Sequence, residues 1–391
     1  MDYGSEGARN DRVPLRVAID AVGVRTGGGA TLLNSLVEQL SAVEPDWQID
    51  LYLLPRKARQ FDNPRGLRNV RVQIAAWGDS GLSRLYWIYR GLPQKLRQTA
   101  ADAVIAFANI GGPFGSPPQI VYCQQMLPFV ELASSAWTDR VRMAVLRRCI
   151  VRGAEASAWI VVQTESMRKA LRVQLTDRAD RRVVVVPPGI YDTNPDESVD
   201  AEFAGLLQRA GRPRLIYVSS LGQHKNHATL LAALEWIRKD FPKCSLWLTM
   251  DRAEAEREFG RSLVREHESR GRFVFLGYRS QNEVRYALRA ADLSVFPSLV
   301  ESFGLPLVEA ISEGCPVAAA DRGYAREVLG NAGVFFDPLD PGSIAAAVSG
   351  LLASQEQLLK MRSAGRCRAS QFDARTSALR MARLVRAAVG S

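Results

Sequence analysis

Histidine and long hydrophobic runs are both scarce in this sequence. The 391 residues include three histidines, so a reaction that depends on a histidine base has few candidate side chains. No G-x-S-x-G, H-E-x-x-H or zinc motif occurs either, which disfavours hydrolase chemistry. Every apolar run is far shorter than the roughly 20 residues that a membrane-spanning helix needs. The polar N-terminus lacks the apolar stretch of a secretory signal, so we expect a cytoplasmic protein.

Cysteine and lysine are also sparse. The five cysteines are odd in number and widely separated, which favours reduced, structural thiols in apolar surroundings over a disulfide framework or a metal cluster. Seven of the 51 basic residues are lysines. The net charge of +10 is spread evenly, with 26 basic against 22 acidic residues up to residue 210 and 25 against 19 beyond it. Because no region concentrates the charge, we expect no nucleic-acid partner.

Short apolar, β-branched segments alternate with amphipathic segments along the whole chain. This alternation is typical of parallel strands joined by crossover helices. The candidate strands are residues 15–21, 47–54, 70–76, 102–108, 119–125, 158–164 and 182–188 in the first half, and 214–220, 244–250, 272–278, 293–299, 316–321 and 333–338 in the second. The sequence therefore predicts an α/β protein with two doubly wound sheets.

The length and one polar stretch predict two domains. A chain of 391 residues exceeds what one hydrophobic core usually holds, and an acidic stretch over residues 191–203 interrupts the strand pattern. We expect an N-terminal Rossmann-like domain over residues 14–200 and a C-terminal one over 206–371. A final helix, 374–389, has apolar residues at helical spacing and needs a docking surface. Since open parallel sheets bind ligands beyond the carboxyl ends of their strands, two facing sheets imply an interdomain cleft.

The most specific segment is SLVESFGLPLVEAISEGCPV, residues 298–317. In it Glu301 and Glu309 flank a Phe-Gly-Leu-Pro turn, and a helix is predicted from Leu307 onward. The N–H groups at a helix start suit a phosphate, and carboxylates suit sugar hydroxyls because they accept strong hydrogen bonds. Gly304 allows a ligand to approach the backbone closely. The alternative is a capped helix with two solvated glutamates.

Two loops carry further candidates. In YVSSLGQHKNHATLL, residues 217–231, a strand passes through a Ser/Gly loop into a helix. Lys225 stands at that transition, where an ammonium can attract a diphosphate; a surface lysine is the alternative. His224 and His227 have no nearby carboxylate or cysteine, so we expect no metal site there. The loop RTGGGATLLNSLVEQL, residues 25–40, matches neither a dinucleotide nor a P-loop fingerprint, and is either a ligand contact or a tight turn.

The stretch from Tyr217 to Phe336 resembles the retaining glycosyltransferases of family 4. The segments SSLGQHKN, FVFLGY and ADLSVFPSLVESFGLPLVEAISEGCPV follow that family in order, and a weaker resemblance covers nearly the whole chain. The family has the GT-B architecture, which is two facing Rossmann-like domains. The resemblance implies that the first domain holds the acceptor and the second holds the nucleotide sugar. It also implies that helix 374–389 packs back onto the first domain.

The resemblance implies a role for each candidate residue. Glu301 corresponds to the glutamate that holds the donor sugar, Glu309 to the one that holds the nucleotide ribose, and Lys225 to the residue that neutralises the diphosphate. Glu301 and Lys225 are the candidate catalytic residues. The donor-binding set implied is Ser220, Gly222, Lys225, Tyr278, Glu301, Phe303, Gly304, Leu305 and Glu309. The acceptor-side set is Gly28, Gly29 and Gln124.

These residues imply a hexosyltransferase that moves a hexose such as mannose from a nucleotide sugar to a glycan or lipid-linked glycan, with retention of configuration. Such enzymes use no recognised protein nucleophile, and we expect neither a metal ion nor another cofactor. The segment VYCQQMLPF, with Gln124 where many members have a histidine, resembles a subset that acts in surface-polysaccharide assembly.

Two other functions stay open at this point. Many members have an arginine near the lysine, whereas this chain has Ser220 and His224 there. Together with Gln124, these departures leave room for a non-catalytic nucleotide-sugar-binding subunit. A sugar-nucleotide epimerase on the same fold is the other alternative, and the spacing of Glu301 and Glu309 argues against it.

The segment SRLYWIYRGLPQKLRQ, residues 83–98, predicts a peripheral membrane contact on the inner face of the membrane. Its apolar residues share one face and its basic residues surround that face, with no acid inside the segment. Such a helix can rest on anionic lipid beside a lipid-linked acceptor. The alternative is an ordinary core-facing helix with a solvated basic face.

Overall fold

A computed structural model of the chain describes residues 14–24, 27–55, 66–75, 80–112, 114–130, 137–190 and 199–390. The polar N-terminus, Arg25 and Thr26 of the glycine-rich loop, and the acidic stretch up to residue 198 lie outside the described residues. The chain divides into two compact units. The first unit consists of residues 1–123, 152–160 and 378–391, and the second of residues 124–151 and 161–377.

Seven strands form the first sheet. They are β1 Arg16–Asp20, β2 Gln48–Leu53, β3 Val70–Ile74, β4 Ala103–Ala106, β5 Gln119–Tyr122, β6 Trp159–Val162 and β7 Val183–Val185. Their order in the sheet is β3-β2-β1-β4-β5-β6-β7. Strand β1 pairs in parallel with both β2 and β4, and its residues from Val17 to Asp20 are buried. The apolar, two-sided burial of β1 is what a central parallel strand requires.

Six strands form the second sheet. They are β8 Arg214–Tyr217, β9 Ser245–Leu248, β10 Phe273–Phe275, β11 Leu293–Phe296, β12 Val317–Ala320 and β13 Gly333–Phe336. Their order is β10-β9-β8-β11-β12-β13, and every pairing in it is parallel. All residues of β8, β9, β11 and β12 are buried.

Helices connect the strands in both sheets. They are α1 Gly28–Val43, α2 Gly81–Tyr86, α3 Leu92–Thr99, α4 Trp137–Glu155, α5 Glu165–Arg172, α6 Asp177–Asp180, α7 Ala201–Arg209, α8 His227–Asp240, α9 Arg252–Phe259, α10 Arg261–Ser269, α11 Gln281–Ala290, α12 Leu305–Ser312, α13 Gly323–Leu329, α14 Pro341–Leu352, α15 Gln355–Ala369 and α16 Ala374–Val389. A π-helical turn, Trp87–Gly91, joins α2 to α3, and short 3-10 turns occupy Leu127–Phe129, Gln223–Lys225 and Gly330–Ala332.

The predicted fold class, two parallel-sheet α/β domains, is confirmed, and each of the thirteen predicted strands is present. In both sheets the strand order reverses direction once, between β1 and β4 in the first and between β8 and β11 in the second. Ligands of doubly wound sheets bind at the carboxyl ends of the strands beside such a reversal. The predicted domain bounds, 14–200 and 206–371, and the facing arrangement stay predictions.

The C-terminal helix α16 has the predicted bounds, and its second half contacts residues of the first unit. The Arg386 Nε lies 3.2 Å from a carboxylate oxygen of Glu44, and the Arg386 guanidinium lies 5.3 Å from the ring centre of Trp47. Its start is held by Ser377, whose hydroxyl donates to the Pro187 carbonyl at 2.6 Å. The apolar stripe noted in the sequence is buried at Met381 and Val385.

The segment 83–98 packs against the core of the first unit. Ile88, Leu92 and Leu96 are buried there, and the indole N–H of Trp87 donates to Asp20 at 3.0 Å. This packing favours the core-facing alternative, because Ile88, Leu92 and Leu96 already contact protein, whereas Tyr89 of the same segment is exposed. A π-helical turn, Trp87–Gly91, interrupts the helical run of this segment.

Two further sequence predictions concern membranes and thiols. Within the described residues, no helix is long and apolar enough to cross a membrane. Cys123, Cys244 and Cys315 are buried, as expected of structural thiols, and burial raises the pKa of each to about 12. Cys367 is exposed, so the expectation of apolar surroundings was wrong for this residue.

Candidate active site

The loop after β8 positions Lys225. A 3-10 turn at Gln223–Lys225 leads into Asn226, whose φ of 57° is left-handed, and α8 starts at the next residue. The Asn226 amide fixes this conformation, since its N–H₂ donates to the Pro338 carbonyl at 2.6 Å and to the Pro297 carbonyl at 3.3 Å. Asparagine tolerates left-handed backbone better than most residues. The loop after β8 is therefore tied to the loops after β11 and β13.

Lys225 forms an ion pair with Glu301 from the loop after β11. The Lys225 Nζ lies 2.5 Å from Glu301 Oε1, and the two side chains are 14% and 15% exposed. Ser298, itself fully buried, places its hydroxyl 2.7 Å from the same carboxylate oxygen. Strands β8 and β11 are neighbours at the reversal of the second sheet, so residues 76 positions apart meet there.

Two buried tyrosines hold the backbone on either side of this pair. The Tyr217 hydroxyl donates to the Lys225 carbonyl at 2.7 Å, and the Tyr324 hydroxyl donates to the Ser298 carbonyl at 2.6 Å. Burial, together with the negative charge of Glu301, raises the pKa of both phenols above the ordinary value. Both hydroxyls therefore stay protonated donors at neutral pH.

Helix α12 begins next to the ion pair with a left-handed glycine. Gly304 has a φ of 87° and precedes α12, and no side chain caps this helix start. A side chain at Gly304 would be strained by that φ, and its Cβ would lie 3.1 Å from Leu307. The first N–H groups of an uncapped helix can donate to an anion, and the helix dipole adds to the attraction. The predicted turn backbone is thus available for this role, and the helix starts two residues before the predicted Leu307.

Glu309 lies inside α12 and is 8% exposed. The Gln281 side-chain amide donates to its Oε1 at 2.7 Å. Burial raises the pKa of the Glu309 carboxyl above its ordinary value, and the Gln281 hydrogen bond and Arg285 oppose that shift. A hydroxyl group donating to this carboxylate would favour its charged form.

The histidines beside Lys225 are neutral at neutral pH. Burial, reinforced by Lys225 and His224, lowers the pKa of His227 to about 4, and the His227 Nε2 lies 3.0 Å from the Ser219 hydroxyl. Burial followed by the charge of Lys225 also lowers the pKa of His224. The described residues contain no group of three or more His, Cys, Asp or Glu side chains arranged to hold a metal ion.

The structure places the remaining predicted residues in three regions. Ser220 and Gly222 share the loop of Lys225, with Ser220 exposed. Tyr278 is 66% exposed and its hydroxyl donates to Glu254 at 2.8 Å. On the acceptor side, Gly28 and Gly29 are the first residues of α1 and Gln124 follows β5.

Sequence reasoning missed two residues that hold the loop beside Glu301. Thr164 caps α5 by accepting from the Met167 N–H at 3.2 Å, and its hydroxyl also donates to the Ser302 carbonyl at 2.9 Å. Glu327, from α13, accepts from the N–H groups of Glu165 at 2.6 Å and Ser166 at 2.7 Å. The threonine before α5 is a recognisable cap, but nothing in the sequence indicates its second partner 138 residues away.

Solved structures at about 20% identity share the fold of this chain. Sucrose-phosphate synthase from Thermosynechococcus elongatus superimposes with a TM-score of 0.74 at 20% identity, over 95% of this chain and 98% of that one. HepE from Anabaena, solved in complex with UDP and glucose, gives a TM-score of 0.73 at 20% identity, over 94% and 98% of the two chains. The chain has the GT-B fold of glycosyltransferases.

The sequence comparison gives a family match for part of the chain. Residues 198–368 match the family described as glycosyl transferases group 1. A glycogen synthase of Mycobacterium tuberculosis is 31% identical over 189 residues, which is 48% of this chain and 45% of that protein. The match thus spans just under half of the relative. The family match, over residues 198–368, includes Lys225, Glu301 and Glu309.

Proposed function

We propose that the protein is a retaining glycosyltransferase that takes a hexose from a nucleotide sugar and transfers it to a glycan or lipid-linked glycan. The observation that carries the proposal is the Lys225–Glu301 pair, which lies where the strand order reverses and next to the uncapped start of α12. At this place a cation and the amides of the helix start suit the phosphates of a sugar diphosphate, and a carboxylate suits the hydroxyls of its sugar. The family match supports sugar transfer, and the UDP in the HepE structure supports a nucleotide donor.

The diphosphate is bound by Lys225 and by the backbone amides of Phe303, Gly304 and Leu305. An ammonium about 4 Å from a phosphate oxygen contributes roughly 4 kcal/mol at an effective dielectric constant near 20. This positive field stabilises the charge that develops on the departing phosphate as the glycosidic bond lengthens. With that charge supplied by protein groups, we propose that transfer needs no metal ion.

The two glutamates orient the rest of the donor. Glu301 accepts hydrogen bonds from hydroxyls of the sugar, and Glu309 accepts them from the ribose. Ser298 and Lys225 already contact Glu301, so the carboxylate is held in place before the sugar arrives. Gln281 contacts one oxygen of Glu309 and sets the orientation of that carboxylate in the same way.

Retention follows from attack on the face that the diphosphate leaves. The bond from the anomeric carbon to the phosphate oxygen breaks, and the bond to the acceptor oxygen forms on the same side. The acceptor proton passes to the departing phosphate oxygen. In this mechanism no protein nucleophile or histidine base takes part.

The test separates the two glutamates. We expect Glu309→Ala to weaken binding of the nucleoside diphosphate, measured by calorimetry, and Glu301→Ala to lower turnover while leaving that binding within a few fold. Glu258→Ala, at a surface glutamate on α9, is the matched control. Unchanged kinetics and binding in both variants would contradict the site assignment.

The same assays separate the proposal from the other two functions. Transfer to a saccharide or lipid-linked acceptor is expected of a glycosyltransferase. A binding subunit would retain the nucleotide sugar without turnover, and an epimerase would convert the sugar without any acceptor.

A further inference from the structure

Helix α4 exposes an apolar stripe. Trp137, Val141 and Val145 are 71%, 43% and 58% exposed, and they are spaced four residues apart. Residues at i, i+4 and i+8 lie on one side of an α-helix. Large apolar side chains that share one exposed face mark a site of interaction.

Arginines surround this stripe. Arg140 and Arg142 flank it on its two sides, and Arg148 and Arg152 continue the same face along the helix; all four are exposed. The helix contains five arginines against two acids, Asp139 and Glu155. Asp139 pairs with Arg142 at 3.1 Å, with both side chains exposed, and such surface pairs are weak.

We propose that α4 docks this protein on an anionic lipid surface. A tryptophan and two valines can enter the boundary between headgroups and acyl chains, while arginines on both sides reach the lipid phosphates. Arginine also forms bidentate hydrogen bonds with phosphate. A partner protein would have to match this charge with acids, whereas a cytoplasmic leaflet presents anionic groups everywhere.

The proposal moves the membrane contact away from residues 83–98. There Ile88, Leu92 and Leu96 are buried in the first unit, whereas Trp137, Val141 and Val145 of α4 are exposed. On α4 apolar residues occur on more than one side, so periodicity alone does not reveal the exposed stripe: Ile150 and Ala154 are buried in the core and lie on a different face from Trp137. Docking at α4 does not depend on the proposed sugar transfer.

The experiment is vesicle sedimentation with the full chain and no nucleotide. We compare vesicles of phosphatidylcholine alone with vesicles containing about one third phosphatidylglycerol, near physiological charge density. We expect binding to the anionic vesicles only. It should weaken strongly from about 0.1 M to about 1 M salt, as the screening length falls from about 10 Å to about 3 Å.

Two variants with matched controls identify the surface. The triple variant Arg140→Glu, Arg142→Glu, Arg148→Glu should lower the vesicle partition coefficient more than about a hundredfold. The control triple Arg375→Glu, Arg380→Glu, Arg383→Glu makes the same charge change on exposed residues of α16 and should bind better than the α4 triple by at least tenfold. Trp137→Ala should weaken binding about tenfold, and Trp236→Ala, at a 52% exposed tryptophan, should not.

Circular dichroism and a thermal unfolding temperature equal to that of the wild type check that each variant is folded. The proposal would be overturned if the wild-type protein does not sediment with anionic vesicles. It would also be overturned if the α4 variants have the same partition coefficients as their controls. Salt-resistant capture of a protein through Trp137, with no vesicle binding, would assign the face to a protein partner instead.

Discussion

At the residue scale, the site contains a cation, Lys225, and an anion, Glu301, that form an ion pair. A bound donor would have to form contacts with both. Lys225 and Glu301 are largely enclosed and 2.5 Å apart, so removing one leaves the other without its partner. An uncompensated charge of this kind is costly. The donor diphosphate would supply a new anion for Lys225, and sugar hydroxyls would supply donors for Glu301.

The first prediction concerns Lys225. Lys225→Ala should lower kcat/KM by roughly 100- to 1,000-fold, because the lost attraction for the departing diphosphate is worth up to about 4 kcal/mol. Steady-state kinetics with a nucleotide sugar measure this loss. Lys239→Ala, at an exposed lysine that contacts Trp236, is the control and should match the wild type. Equal rates in the Lys225 and Lys239 variants would mean that the diphosphate is bound elsewhere.

The second prediction concerns His227 and pH. Burial lowers its pKa from 6.5 to about 4 in the folded chain, so between those values the unfolded chain binds a proton that the folded chain does not. The free energy of unfolding is therefore unaffected by His227 protonation above pH 6.5, and it decreases as the pH falls from 6.5 toward 4. The expected loss from this group is about 2 kcal/mol between pH 7 and pH 5.

Urea unfolding at both pH values tests this with His227→Gln, which cannot titrate but can still contact Ser219. Between pH 7 and pH 5, the free energy of unfolding of the variant should fall by about 2 kcal/mol less than that of the wild type. Identical pH dependence in the two proteins would show that His227 is not held neutral.

At the element scale, α5 connects two parts of the second unit that lie far apart in sequence. Its first N–H groups are capped by Glu327 of α13, and its capping residue Thr164 holds the Ser302 carbonyl beside Glu301. The start of one helix thus fixes the loop that presents Glu301. The carboxylate of Glu327 also suits the positive end of the α5 dipole.

The third prediction follows from this contact. Thr164→Val removes the hydroxyl but keeps the shape, so it should cost about 1 kcal/mol of stability through the lost cap. It should also lower kcat more than it raises KM, because the loop of Glu301 loses its support. Thr164→Ser retains the hydroxyl and should recover most of both. A stability loss without any change in kcat would limit Thr164 to a structural role.

Secondary structure was largely predictable because β-branched runs are distinctive. All thirteen strands were found, but several ended early, as at Tyr217, where the chain leaves the sheet to form the loop of Lys225. The π-helical turn at Trp87–Gly91 was not predictable. It allows Trp87 to reach Asp20, a contact between residues 67 positions apart.

The site was predictable only in part. Glu301, Glu309 and Lys225 were chosen from motifs, and the strand order explains why loops after β8 and β11 meet. The supporting contacts of Ser298, Tyr324 and Thr164 depend on tertiary structure, which short-range patterns do not carry. Exposure of Trp137 was likewise visible only once α4 was packed.

At the scale of the whole molecule, the two sheets share one pattern of strand order but differ in the loops that follow their strands. The loop after β1 contributes the glycines at the start of α1, whereas the loop after β8 contributes Lys225. The second unit combines Lys225, the uncapped start of α12 and the carboxylates of Glu301 and Glu309. The proposed donor site therefore lies in the second unit, whereas the acceptor-side candidates are divided between the first unit, with Gly28 and Gly29, and the second, with Gln124.

The most direct measurement is a crystal structure with an intact nucleotide sugar. The account predicts the diphosphate on Lys225 and the amides of residues 303–305, a sugar hydroxyl on Glu301 and the ribose on Glu309. Density for the ligand at the start of α1 alone, with Lys225 still paired to Glu301, would contradict it.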